Sequence, residues 1–175
     1  MIAGTIALTA LTCGTGAAIG VGVSALISGA MSAMSAQEDE DILGAFLGGA
    51  ITGAVSSIAI ASGATLALYY GGGTVAMGLG MLSSFAIGTI GGMMGNAYSQ
   101  NISYGTVDWK VSAVTGVLNG INSAVGTYAI VKVPLINVTN DPFKNFTESL
   151  GVSVLGSAIG VYLGSLIPNY NDKRE

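Results

Sequence analysis

Residues 42–107 read ILGAFLGGAITGAVSSIAIASGATLALYYGGGTVAMGLGMLSSFAIGTIGGMMGNAYSQNISYGTV, and none of them is Asp, Glu, Lys, Arg or His. Soluble domains carry about a quarter charged residues, whereas this chain carries 8%, with a mean hydropathy of +0.69. An ion at the centre of a bilayer costs about 3 kcal/mol or more, so a long uncharged run suits a segment that enters lipid. The glycines at four-residue spacing add a second reason. They let helix backbones approach closely where no water drives apolar surfaces together. The stretch reads as part of an all-α, membrane-inserting protein.

Working outward, charged and turn-forming residues divide the chain into five apolar segments, expected to form a bundle or hairpins of about five long Gly-rich helices. The first runs from Ile2 to Ala36, with a soft point at Gly14-Thr15-Gly16, and the acidic turn 37–41 closes it. The second runs from Ile42 to Tyr70 and is broken by Gly71-Gly72-Gly73; the third runs from Thr74 to Tyr98. After a polar link at 99–106, the fourth spans Val107 to Lys132; after a second link at 133–141, the fifth spans Pro142 to Ile167. Each is too long for a strand. Thr106 is the expected N-cap of the fourth segment, with Asp108 in its first turn and Lys132 at its end, as the helix dipole favours. Asp141-Pro142 starts the fifth and Pro168 stops it. Each interior glycine weakens a helix by about 1 kcal/mol in water. In lipid, unsatisfied backbone groups are so unfavourable that helix prevails. At 175 residues the whole chain, 1–175, fits one domain.

Aromatic placement fits a spanning arrangement. Tyr69, Tyr70, Tyr98, Tyr104, Tyr128 and Tyr170 fall at segment ends and Trp109 opens the fourth segment, as in interfacial belts. A helix from Trp109 to Tyr128 rises roughly 28 Å, close to one hydrocarbon core. The cations show no bias of side: Lys110, Lys173 and Arg174 lie on one, Lys132 and Lys144 on the other.

Composition excludes several classes of activity. Net charge is −4 with five cationic residues, so no nucleic-acid partner is expected. Histidine is absent and Cys13 is the single cysteine, which removes the usual general base, the common zinc ligand and any intramolecular disulfide. Neither a cofactor nor a metal nor an enzyme activity is expected. Met1 is followed by Ile2, Ala3, Gly4 and Thr5 without a basic residue, so a Sec-type signal is not expected either.

Three features remain as candidate functional elements. Small residues form ladders: Gly44, Gly48, Thr52, Ser56 beside Gly49, Gly53, Ser57; then Gly72, Ala76, Gly80, Ser84, Gly88, Gly92 with Gly91 and Gly95 alongside; then Gly156, Gly160, Gly164 beside Ser149, Ser153, Ser157. A four-residue step drifts about 40° around a helix, so the third segment should meet at least two neighbours, within one chain or between copies. The ladders serve either to pack a bundle or to assemble a pore. In the fourth segment Thr115, Asn119 and Asn122 share a face, flanked by Ser123 and Gly126 and opposite Val114, Leu118, Ile121 and Val125. That stripe is a candidate lumen lining, or a set of interhelical amide bonds in a closed bundle. Glu38, Asp39, Glu40 and Asp41 lack the spacing of a calcium loop and read as a solvated turn. A sharper reading makes them a charge latch that resists crossing a membrane. Permeabilisation of liposomes should then accelerate toward about pH 5, as carboxylates protonate, and a flat profile would remove the idea.

The stretch Gly88 to Lys110, GTIGGMMGNAYSQNISYGTVDWK, resembles the glycine-zipper region near the C-termini of bacterial polymorphic toxins, the Rhs-repeat and related secreted effectors. There a Gly-rich apolar helix leads into Gly-Asn-x-x-Ser-Gln, a short polar turn, then Val-Asp-Trp and another Gly-rich helix. The matching positions are Gly95, Asn96, Ser99, Gln100, Val107, Asp108 and Trp109, and the resemblance covers residues 42–130 at the level of pattern, with no catalytic signature. In such effectors an enzyme domain often follows; here Pro168 is followed only by NYNDKRE. The resemblance therefore implies one of two things: a toxin domain that itself inserts into a target cell's inner membrane and forms ion-permeable pores, or a translocation or scaffold segment. An ordinary small integral membrane protein is the remaining alternative. The toxin reading implies the lipid bilayer and further copies of the chain as partners. It also implies a membrane-embedded immunity protein in the producing cell and a parent effector shell around the soluble precursor.

Overall fold

A computed structural model describes residues 14–132, with side chains from Gly20 onward. These residues are all-helical: α1 (Gly14–Met34), α2 (Ile42–Tyr69), α3 (Thr74–Tyr104) and α4 (Trp109–Lys132). Of the five expected segments, the fifth, the link at 133–141 and residues 1–13 lie outside the described ones, together with Gly156, Gly160 and Gly164.

Local chemistry sets the helix ends. Asp41 caps α2, its carboxylate accepting the Gly44 N–H at 2.8 Å, which satisfies one of the orphan donors of the first turn. At the other end Gly71 and Gly72 both take positive φ, 84° and 66°. The Gly72 N–H donates to the Ala67 carbonyl at 2.8 Å and the Gly71 N–H to the Leu68 carbonyl at 2.9 Å. This is a Schellman closure, which glycine makes without steric cost. It reverses the chain into α3 within a few residues.

Two expected boundaries move. The third segment does not end at Tyr98, and most of the link at 99–106 is helix; α3 runs on to Tyr104 and stops at Gly105, whose φ of 67° makes the left-handed cap. Ser99 and Gln100 look like linker residues in sequence but are buried. The Ser99 hydroxyl donates to Glu40 Oε1 at 2.7 Å, while Gln100 accepts the Asp108 N–H at 2.6 Å and donates to Asn96 Oδ1 at 2.6 Å. The start of α4 is correspondingly later. Thr106 is not its cap: Asp108 is, accepting the Lys110 and Val111 N–H groups at 2.9 and 3.3 Å.

Each helix packs antiparallel to its predecessor, and α2 also touches α4. Gly48 faces Gly95 and Ser99 while Gly63 faces Gly80, which orients α2 against α3; Gly88 faces Asn119 and Ser123 while Gly116 faces Met93, which orients α3 against α4. On the other flank of α2, Gly49 and Gly53 receive Ser28, Ser32 and the Ser24 carbonyl of α1. The result is an up-down-up-down bundle. Its one cluster of larger apolar side chains, among the described residues, is Ile60, Ala64 and Ile130 with Leu68 and Val131 against them.

The interior is otherwise small and polar. Ser24, Ser28, Ser56, Ser57, Ser84, Ser112, Ser123 and Thr127 are fully buried. The large apolar residues face outward: Val75 is 79% exposed, Leu82 and Trp109 65%, Leu26 62%. The seam Val114, Leu118, Ile121 and Val125 is exposed too. Burying one such side chain from water is worth about 1.5 to 3 kcal/mol, and soluble monomers rarely leave so many out together. Helices α2 and α3 are long and apolar enough to cross a membrane. At 28 and 31 residues they rise roughly 42 and 46 Å, more than a bilayer core.

Candidate functional site

Where α2, α3 and α4 meet, the backbones come close enough that a side chain has no place. A methyl group at Gly48 would stand 2.6 Å from the Gly95 carbonyl oxygen, and one at Gly80 would collide with the Gly63 carbonyl. At Gly92 it would meet Asn119 Cβ at 2.7 Å, and at Gly88 it would strike Ser123. Gly44 faces Ile102 and Ser103 at the same interface, and Ala76 and Ser84 are buried in α3. The described ladder glycines therefore sit at contacts within one chain, except Gly72, which lies in the α2–α3 turn with nothing within 4 Å.

A run of uncharged polar groups follows this meeting line. Asn119 is 4% exposed, and its amide donates to Ser56 Oγ at 2.7 Å and to the Gly88 carbonyl at 2.8 Å, joining all three helices. The Ser56 hydroxyl in turn donates to the Thr52 carbonyl at 2.7 Å. Closer to the α2–α3 turn, Ser84 bonds the Ala59 and Gly80 carbonyls, each at 3.0 Å, and also Thr127. Thr127 reaches the Ile60 carbonyl at 3.3 Å. In a medium without water these bonds hold helices together in place of the hydrophobic effect.

Three polar atoms in this region have no partner. They are Asn119 Oδ1, Ser123 Oγ and Thr89 Oγ1. They gather within about a turn of one another on the facing surfaces of α3 and α4: Gly88 meets Ser123 and the Asn119 carbonyl, and Gly120 meets Thr89. Residues 89 and 120 lie at the middle of their helices. Each buried, unpaired polar atom costs about 1 to 3 kcal/mol, so this contact is closed at a penalty that a water molecule or another polar group would relieve.

Of the candidate lumen residues, Asn119 is at the centre of this network, while Thr115 and Asn122 flank it half-buried. Sequence reasoning named none of Gly63, Gly116, Gly120 and Thr127, and it named Gln100 only as a position of the Gly-Asn-x-x-Ser-Gln resemblance. Gly116 and Gly120 form a small-xxx-small pair that could have flagged the α3-facing side of α4.

The four acids lie at the opposite end from the α2–α3 turn. Asp41 caps α2 and gives its own N–H to Ser103 Oγ at 3.0 Å; Glu40 accepts from Ser99; Glu38 and Asp39 are exposed. Among the described residues no group of His, Cys, Asp or Glu is arranged to hold a metal ion.

No family model, no curated protein and no solved structure matches this chain.

Proposed function

We propose that this protein works inside a lipid bilayer, as a bacterial effector domain that makes a target cell's inner membrane permeable to ions and collapses its potential. The observation that carries the reading is the inverted distribution of residues: glycine, serine, threonine and asparagine inside, and Leu26, Val75, Leu82, Ile90, Val114, Ile121 and Trp109 outside. Lipid tails solvate that exterior, and close backbone contacts with interhelical hydrogen bonds hold the interior. The aromatic residues sort to two levels. Tyr98, Tyr104 and Trp109 lie toward the acidic end, and Tyr69, Tyr70 and Tyr128 toward the α2–α3 turn, as bilayer interfaces favour.

Ion passage is the activity this interior supports best. The unpaired Thr89, Asn119 and Ser123 atoms at mid-helix are where water would enter between α3 and α4 once they separate. Apart from Gly72 in the turn, the described glycine ladders are engaged within the chain. Copies would therefore assemble through outward faces, or through these same faces after the bundle opens. No covalent chemistry is involved. The producing cell would hold a membrane-embedded immunity protein, and a carrier shell would cover the exterior before delivery.

The tight glycine contacts also favour a second reading, a closed scaffold or translocation module, or a small integral membrane protein, that never opens. Expressing the chain in bacteria while membrane potential is followed separates the two. Rapid depolarisation is expected for the first reading; membrane-bound protein in cells that keep their potential would overturn it and leave the second.

A further inference from the structure

We infer that α2 and α3 enter the bilayer as one preformed hairpin, led by the turn Tyr69–Thr74, while the acidic end stays on the side from which the protein arrives. The inference rests on the bilayer reading and adds which end crosses. Among the described residues the charges are segregated. Glu38, Asp39, Glu40, Asp41, Asp108 and Lys110 all lie at one end of the bundle, and Lys132, on α4, is the single charge at the other. The hairpin itself, from Ile42 through Tyr104, is uncharged along both arms and across its tip. Ions oppose passage through hydrocarbon far more than apolar side chains do, so the two ends face very different barriers.

On its α2 side the tip also closes its own backbone. The N–H groups of Tyr70, Gly71 and Gly72 donate to the carbonyls of Leu66, Leu68 and Ala67 at 3.3, 2.9 and 2.8 Å. These bonds would survive in lipid, where an unpaired peptide group is strongly disfavoured. The arms are held together at both ends, at Gly63–Gly80 near the tip and at Gly48–Gly95 near the base, so they travel as one unit. Exposed Tyr69 and Tyr70 pack edge to face with ring centroids 5.2 Å apart and suit the far interface on arrival. At the base, Ser99 donates to Glu40 and Ser103 accepts from Asp41. The anchor is therefore fastened to the foot of both arms. Helix α4 follows only if Lys132 crosses.

The test uses the full chain with Cys13→Ser and one new cysteine, either Tyr70→Cys at the tip or Glu38→Cys in the acidic turn. Both positions are exposed. Each is added to preformed anionic lipid vesicles and challenged from outside with a membrane-impermeant thiol reagent. Position 38 is expected to label fully. Position 70 should become protected with time and be labelled by reagent trapped inside. A third variant adds Thr74→Asp to the tip-cysteine chain. It lies in the first turn of α3, where a carboxylate suits the helix dipole and spares the fold. Yet it should slow protection of position 70 by about a hundredfold, the effect of one ion in hydrocarbon. Bound protein with position 70 open to the outside, protection of position 38 instead, or no slowing by Thr74→Asp would each overturn the inference while leaving the bilayer reading intact. Failure to bind vesicles at all would overturn both.

Discussion

Helix α3 is gripped by α2 on one side and by α4 on the other, and the two contacts differ in how their buried polar groups are paired. Against α2, glycine backbones meet directly, Gly80 on the Gly63 carbonyl and Gly95 on that of Gly48, while Ser84 and Thr52 fill the notches at Gly63 and Gly95. Against α4, glycines make notches for polar side chains, with Ser123 in the notch at Gly88 and Asn119 in the one at Gly92. In the first contact the notch-filling Ser84 is paired with the Ala59 and Gly80 carbonyls. The second is joined by an amide that ties three helices, yet it leaves three polar atoms unpaired. A pair meant to travel together should resemble the first, and a pair meant to part should resemble the second.

The sharpest way to break this contrast is to force the α2–α3 contact. Gly80→Leu drives a branched side chain against the Gly63 carbonyl and Ala67, where neither backbone can retreat. Overpacking of this kind costs about 1 to 3 kcal/mol and sometimes more, so the bundle should lose its cooperative melt in detergent. Replacing Gly80, Gly88 and Gly92 together by Leu should abolish depolarisation as well. Unchanged leakage would remove these faces from the mechanism.

The α4 side should respond more mildly. Asn119→Ala deletes two hydrogen bonds but also removes one unpaired oxygen. The expected loss is about 1 kcal/mol, read as a lower denaturation midpoint with α2–α3 contacts preserved. If the loss equals that of Gly80→Leu, the two contacts do not differ as argued.

Much of this architecture was visible in the residues alone, for identifiable reasons. The bounds of α2 follow from Asp41 before it and three glycines after it. The ladders required α3 to have two neighbours because four-residue rows drift around the helix. Three things were not legible. Ser99 and Gln100 have the composition of a link, and only their partners Glu40, Asp108 and Asn96, brought near by folding, make them helical. The choice of Asp108 over Thr106 as cap follows from that longer α3. Which small residue meets which is the third: a serine such as Ser28 looks the same whether it faces Gly53 or solvent, since periodicity marks a face but not its partner.

A smaller effect belongs to the base of the hairpin. Asp41→Ala removes the carboxylate that caps α2 and should lower stability by about 1 kcal/mol. Asp41→Asn should restore it, because the amide oxygen caps nearly as well. The asparagine variant also takes away one of the four negative charges at the acidic turn. Stability like the parent with altered dependence of leakage on pH would therefore assign the residue's charge, not its cap, to membrane crossing.

The finest test stays within α3 and reverses the sign. Gly78 lies two residues from Gly80 on the same helix, but a methyl group there meets nothing within 4 Å. Gly78→Ala should stabilise the bundle by about 0.5 to 1 kcal/mol, because alanine surrenders less backbone freedom than glycine in a helix interior. Gly80→Ala makes the same chemical change and gains the same backbone term. It also places its methyl group against the Gly63 carbonyl, so its net effect should be destabilising. Opposite signs in paired melts would show that contact geometry, not glycine content, holds α2 and α3 together. Equal and favourable shifts would mean the two helices can move apart without penalty, and the hairpin would then have no reason to cross as one body.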